Sequence, residues 1–261
     1  MMKHNVLLAA IVTTYMCFLN TATAATPPVF TPEQEARIGQ IATDYLVAHP
    51  EVLVTVSQKL QAQQRERQQQ VLALNVMNHL QEIVADPDTP VVGPSSASVA
   101  VIEFFDYQCV HCSRLAPTLE KVMGERAGAK FLFKEWPIFG ERWPASEQAA
   151  ERGLAIWKAA GADAYLKYHN GIFHTGHTEG ALSSGDIENA TIAARMPSSW
   201  KPEVMSAALA RNDDLAQAIG LTGTPGLIVM PLKNPSLSTI SVFPGTVSAG
   251  QLLAAIDKAG Y

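Results

Sequence analysis

Two of the chain's three cysteines stand three positions apart, as Cys109-Val110-His111-Cys112, directly after an apolar run and at the head of a helical pattern. A strand that delivers a C-x-x-C to the first turn of a helix constrains this chain more than any other feature, because in that setting the pair reads as a redox dithiol. Two intervening residues let both sulfurs meet on one helical turn. The free N–H groups and partial positive charge of a helix N-terminus stabilise a thiolate there. Cys109, nearer the open end, is the expected nucleophile. Cys112, one turn in, is the expected resolving thiol, and His111 is expected to add positive charge and a donor. Zinc would need four ligands, and no second C-x-x-C or neighbouring Cys/His pair supplies them. Covalent haem would need His after the second Cys, where Ser113 stands. A purely structural bridge across so small a loop would restrain the unfolded chain little.

The third cysteine belongs to a different kind of segment. Lys3 precedes a short apolar stretch from Val6 to Leu19, and Ala22-Thr23-Ala24 forms an A-x-A site. This pattern predicts a secretory signal peptide, residues 1–24, cleaved after Ala24. The stretch is short for a membrane span of about 20 residues. Cleavage removes Cys17 and Lys3, leaving 18 basic against 24 acidic residues, a net charge of −6. The compartment expected is oxidising, a bacterial periplasm, where disulfides persist. The acidic balance argues against nucleic acid as a partner, since phosphate binding needs clustered Lys and Arg.

Residues 25–84 read as helical. Thr31-Pro32-Glu33-Gln34 offers a cap, a Pro at the first helical position and an early acid. Ile38, Ile41, Tyr45 and Ala48 recur at spacings of three and four. His49-Pro50 breaks the pattern, and a second helix is expected from Pro50 to Val84. Its two ends are apolar, whereas Gln61 to Gln70 (QAQQRERQQQ) holds strong helix formers and no large apolar side chain. Two helices with apolar stripes and no core of their own predict oligomerisation. Residues 85–98, rich in Pro and Ser, are expected to be a linker.

From residue 99 the expected order is strand (Val99 to Phe105), helix (Cys109 to about Glu125), strand (Lys130 to Trp136), a helical block at about 141–218, two strands (Leu227 to Met230 and Thr239 to Phe243), and a last helix opened by the capping box Ser248-Ala-Gly-Gln251. That order predicts an α/β, thioredoxin-like catalytic domain over 99–261 with a helical insertion. His169, His174 and His177 match no metal-binding spacing and are expected to be surface loop histidines. Asn189-Ala-Thr191 is read as a chance match to a glycosylation acceptor. The four tryptophans are expected to pack in the core or insertion.

Residues 101–112, Val-Ile-Glu-Phe-Phe-Asp-Tyr-Gln-Cys-Val-His-Cys, resemble the active-site segment of the DsbA family of periplasmic thiol–disulfide oxidoreductases. The resemblance covers residues 99–261 in element order and departs where DsbA typically has Pro and this chain has Val110. It implies further roles. Glu103, six residues before Cys109, would be a buried acid that exchanges a proton with Cys112. Lys134, on the next strand, would pair with Glu103. Thr224-Pro225, in the turn-like Gly223-Thr-Pro-Gly226, would be a cis-proline loop facing the dithiol, with Thr224 pairing to an extended client. Thr at this position resembles the isomerases DsbC and DsbG. The segment YLVAHPEVLVTVSQKL resembles the oligomerisation segment of ScsC-like and dimeric DsbA-like proteins. Together these imply an oxidoreductase and isomerase, a homo-oligomer with a dimer favoured. Its partners would be unfolded or misfolded secreted proteins and a membrane redox protein. It would have no cofactor beyond the Cys109–Cys112 disulfide and no metal. The alternative expectation is a periplasmic chaperone or scaffold whose dithiol is a redox sensor.

Overall fold

The computed structural model describes residues 29–261; the expected signal peptide and its cleavage site lie outside the described residues. The chain divides into two compact units, one up to Lys59 and one from Leu60.

The first unit holds helix α1 (Pro32–Ala48) and the start of α2 (Glu51–Asn78). Thr31 Oγ1 accepts from Gln34 N at 3.3 Å and Gln34 Oε1 accepts from Thr31 N at 2.9 Å, the capping box that the Thr-Pro-Glu-Gln run supports. The break at His49-Pro50 ends α1 as expected. No residue of α1 is buried, and Ile38, Ile41 and Tyr45 are about half exposed. They share one face, so the apolar stripe read from the periodicity is present and uncovered.

The second unit is built on a five-stranded sheet, β1 (Val91–Val92), β2 (Val99–Phe105), β3 (Lys130–Glu135), β4 (Gly226–Pro231) and β5 (Ser241–Pro244), in the order β1-β3-β2-β4-β5. β2 and β3 are parallel and the other pairs antiparallel. Central β2 is buried at all seven positions because both faces are covered, which is why its sequence is a continuous apolar run rather than an alternating one. Val99, Val101 and Phe105 face one core with helices α4 (Val110–Glu125), α5 (Pro144–His174), α6 (Ser184–Ala193) and α8 (Ala249–Lys258). Ala100, Ile102 and Phe104 face a second core shared with α2 and α7 (Ser206–Ile219). Helices α5 to α7 are the expected insertion; α5 kinks at Gly161, whose φ of +75° suits a residue without Cβ.

The boundary expected at residues 85–98 lies elsewhere. Leu72, Ala73 and Val76 of α2, with Ile83 of the short helix α3 (Leu80–Val84), are buried in the second core. Val91 and Val92, inside the expected linker, form an edge strand against Leu132 and Phe131. Composition registered the prolines around this pair but not that β3 has an open side that needs a partner. The Gln-rich stretch also differs from expectation at one position. Gln69 Nε2 donates to Val242 O at 2.7 Å, and Val242 N donates to Gln69 Oε1 at 3.3 Å. A side-chain amide offers the same donor and acceptor as a peptide unit, so Gln69 caps the outer edge of β5.

Candidate active site

Cys109 is the N-cap of α4, with extended backbone at φ −80° and ψ 116°. Along that helix Cys112, Leu115, Ala116, Leu119 and Val122 are buried. Their three-and-four spacing turns Cys112 into the core and leaves Cys109 at the mouth of the first turn. The pair is in the dithiol form. The Thr224-Pro225 bond is cis. It presents Thr224 O to the Cys109 thiol, which donates to it at 3.3 Å.

The two thiols are driven apart in acidity. Cys109 is lowered to about 5, first by the hydrogen bond from the Cys112 thiol, then by the Thr224 side chain and the backbone N–H groups of Cys112 and His111, against the opposing effect of burial. In the thiol form Thr224 Oγ1 is buried without a partner; once the proton leaves Cys109, that hydroxyl has a thiolate to donate to. The expected contribution of the His111 imidazole is replaced by one from its main chain, because the ring is exposed and its N–H is the group that stabilises the sulfur. Cys112 is pushed well above its usual value by burial, by its hydrogen bond to Cys109 and by the charges of Cys109 and Glu103. Cys109 is 4% exposed and Cys112 0%, and the arrangement suits one acidic leaving thiol at the head of the helix and one deeper thiol that must lose its proton before it reacts.

Glu103 lies on the dithiol face of β2, 2% exposed, with Oε2 unpartnered. Burial, and then the Cys109 charge, raise its carboxyl to about 8. The expected pairing with Lys134 is not formed. Glu103 stands opposite Phe133 in the β2–β3 register and Lys134 opposite Phe104, so the two side chains project from opposite faces of the sheet. Lys134 Nζ is saturated on its own face by Thr89 Oγ1 at 2.7 Å, Glu82 O at 3.1 Å and Asp86 Oδ2 at 3.5 Å. Lys134 therefore secures the segment before β1 and leaves Glu103 without a counter-charge.

Several residues around the dithiol escaped the sequence reading. Asp106 holds the active-site turn: its Oδ1 accepts from Gln108 N at 2.7 Å, and its Oδ2 from Phe139 N at 2.9 Å and Ser146 Oγ at 2.8 Å. An Asp three residues before a helix N-cap is a turn signal that would have found it. Glu135 is fully buried, and its Oε1 accepts from Tyr107 OH at 3.0 Å and Tyr165 OH at 2.9 Å. Burial pushes this carboxyl well up.

His169 corrects an expectation. It is 2% exposed, with ring centroids of Phe105 and Phe133 each at 4.8 Å, and burial lowers it to about 3. The three histidines were read by sequence proximity, but Tyr165, Tyr168, Ile172 and Phe173 place 169 on the buried stripe of α5. His174 and His177 are exposed as expected, beside Glu120 and Asp186.

Residues 34–67 match the family model described as "Copper resistance protein ScsC N-terminal domain", and residues 85–233 match the model described as "Thioredoxin". Among solved structures, BcfH of Salmonella enterica Typhimurium is 35% identical with a TM-score of 0.72, covering 87% of this chain and 96% of that one. Proteus mirabilis ScsC in a transitional conformation is 25% identical with a TM-score of 0.59, over 88% of this chain and 97% of its own. Disulfide bond formation protein D of Bacillus subtilis (strain 168) is 26% identical over 154 residues, 54% of this chain and 67% of that protein.

Proposed function

Because the chain belongs to the ScsC-like members of the DsbA family of thioredoxin-fold thiol–disulfide oxidoreductases, we propose that it exchanges disulfides with secreted proteins in the periplasm through Cys109 and Cys112. The opposed acidities of the two thiols across one helical turn carry this reading. In the reductive direction the Cys109 thiolate attacks a client disulfide, forming a Cys109–client bond and expelling a client thiolate. Cys112 then gives up its proton and attacks Cys109 Sγ, which closes the Cys109–Cys112 disulfide and releases the second client thiol. Oxidation of a client dithiol is the reverse.

Glu103 is the group we assign to take the Cys112 proton. Burial holds both Cys112 and Glu103 up; when Cys109 is tied up in a mixed disulfide its negative charge is gone, so the part of the elevation that its repulsion adds is relieved at the step that needs it. The backbone of Thr224 pairs with an extended client in strand fashion. A membrane redox protein resets the dithiol. The N-terminal segment through Ala24 directs export; among the described residues no helix is long and apolar enough to cross a membrane.

The bare apolar stripe of α1 and the ScsC N-terminal match support a homo-oligomer. A dimer is the smallest assembly that sets two dithiols against one client, an arrangement suited to isomerisation as well as oxidation.

The direct test traps the intermediate. Cys112→Ala should accumulate a reducible adduct with scrambled ribonuclease, and a further Cys109→Ser change should remove it. Failure to trap any adduct with Cys112→Ala would end the redox reading and favour a chaperone.

Truncation tests the assembly, and the structure moves the cut. Residues 72–92 are part of the catalytic unit, so the variant should begin at Leu60. It should be monomeric by light scattering, keep dithiol oxidation and lose recovery of scrambled ribonuclease. A monomeric full-length protein, or an unimpaired truncation, would rule out the assembly as the source of isomerisation.

A further inference from the structure

The residue that immediately precedes the nucleophile is tied to the loop between α5 and α6, in the middle of the helical insertion. Gln108 is 0% exposed. Its backbone carbonyl accepts from Glu179 N at 2.9 Å, and its side-chain Oε1 accepts from Gly180 N at 2.8 Å. Two consecutive N–H groups of one turn thus converge on a single residue. The turn is Thr178-Glu179-Gly180-Ala181, closed by Ala181 N donating to Thr178 O at 3.0 Å. Glu179 has φ +53° and Gly180 φ +97°. A turn with positive φ at both central positions favours Asn, Asp or Gly at the first of them.

Gly180 is explained by space as well as by φ, since a Cβ there would fall 2.8 Å from Trp143 Nε1. Glu179 has no such account. Its side chain is exposed, and the neighbouring carboxylate, Asp186 in the first turn of α6, is already engaged by His177 at 3.0 Å. A left-handed glutamate pinned by its N–H to the residue before Cys109 is a backbone outlier of the kind that marks function. Through the 2.9 Å hydrogen bond and the intervening covalent bonds its Cα lies within about 8.4 Å of the Cys109 Cα.

We infer that Glu179 is a specificity-determining residue that favours clients whose reactive cysteine is flanked by Lys or Arg. This rests on the proposed exchange at Cys109 and names the client chemistry it selects. The Glu179 carboxylate is exposed on a residue hydrogen-bonded to the one before Cys109, and it attracts a cationic side chain as the client cysteine approaches. Exposed Arg114, further along α4, carries the opposite sign. Wild-type preference therefore reflects both charges, and the role of Glu179 is read from the change on mutating it.

The test uses the full-length protein and two cysteine peptides that differ only in Lys or Glu beside the cysteine. The quantity measured is the ratio of their kcat/KM values for oxidation. Glu179→Gln should lower the Lys-to-Glu ratio by about threefold to tenfold at low ionic strength, and the difference between wild type and variant should shrink in ~0.5 M salt. Glu179→Gly should lower the ratio equally while raising Tm, because it removes charge and backbone strain together. A merely structural role for the turn would change Tm without changing charge preference. A ratio unchanged in both variants, with wild-type exchange on an uncharged peptide intact, overturns the role of Glu179. Absence of that wild-type exchange would instead overturn the redox reading beneath it.

Discussion

Replacing Glu103 with Gln should flatten the alkaline side of the reduced protein's stability profile, moving the difference between variant and wild type by about 4 kcal/mol between pH 4.5 and pH 8. The folded carboxyl is raised to about 8 from 4.5. Below pH 4.5 it is protonated in both folded and unfolded chains and contributes nothing. From 4.5 upward the unfolded chain ionises while the folded one holds its proton, so folding loses ground with each pH unit. Above 8 both forms are ionised and the loss is complete. A glutamine has no proton to hold and no such slope. Its amide would leave a buried donor unpaired at a cost of about 1–3 kcal/mol, so the variant should be the weaker protein at pH 4.5 and the stronger at pH 8. The same change should slow closure of the Cys109–Cys112 disulfide, because the amide cannot accept the Cys112 proton. Chemical denaturation of the reduced proteins at several pH values decides the first point, and single-turnover release from a mixed disulfide the second. Parallel stability curves would mean that Glu103 is not the group that titrates.

The features that were readable in the sequence share a physical property: each is local. The dithiol at the head of α4, the buried run of β2, the cap residue Thr31 and the capping box at Ser248 are settled within a few residues. What the sequence withheld depends on which strand lies beside which. Lys134, on the next strand, was expected at Glu103 because the DsbA resemblance implies a charged partner there. The one-to-one register of β2 and β3 assigns them to opposite faces, and nothing in either strand's own sequence fixes that register. The same holds for Val91 and Val92, whose role depends on the open edge of β3, and for Gln69, which looks solvated until β5 is placed against it.

Buried polar residues were the other loss. Glu103 was found because a family resemblance pointed to it, whereas Glu135 closes a strand that also carries Lys130 and Lys134 and reads as one more solvated charge. Its partners, Tyr107 and Tyr165, come from two elements far apart in the chain. A buried acid is satisfied by whatever the tertiary fold brings to it, so the sequence marks its cost but not its solution. His169 was missed for a simpler reason: grouping it with His174 and His177 set proximity along the chain above helical period, and the period was the better guide.

The dithiol itself should make the reduced protein gain on the oxidised one by about 3 kcal/mol between pH 4 and pH 7. Cys109 titrates at about 5 when folded and from a reference of 9.0 when unfolded. At pH 4 the thiol is protonated in both states, so its acidity adds nothing. As pH rises through 5 the folded chain releases the proton that the unfolded chain keeps, and the reduced fold gains until the unfolded thiol also ionises near 9. At pH 7 two of those four pH units have been traversed. In the oxidised protein Cys109 carries no proton and has no such slope, while most of the contribution from Glu103 is common to both forms and cancels in the comparison. A reduced form favoured by this amount raises the reduction potential by roughly 60 mV over that of an unperturbed pair, which together with a low-pKa leaving thiol makes the disulfide a ready oxidant of client dithiols. Paired denaturation of reduced and oxidised protein at pH 4 and pH 7 measures the gap. The rate of Cys109 alkylation in the Cys112→Ala variant gives a separate readout of acidity, with a midpoint above 5 because that variant lacks the largest donor to the thiolate. If the stability gap between reduced and oxidised protein is the same at both pH values, Cys109 is no stronger an acid in this fold than in the unfolded chain, and the driving force assigned to it is absent.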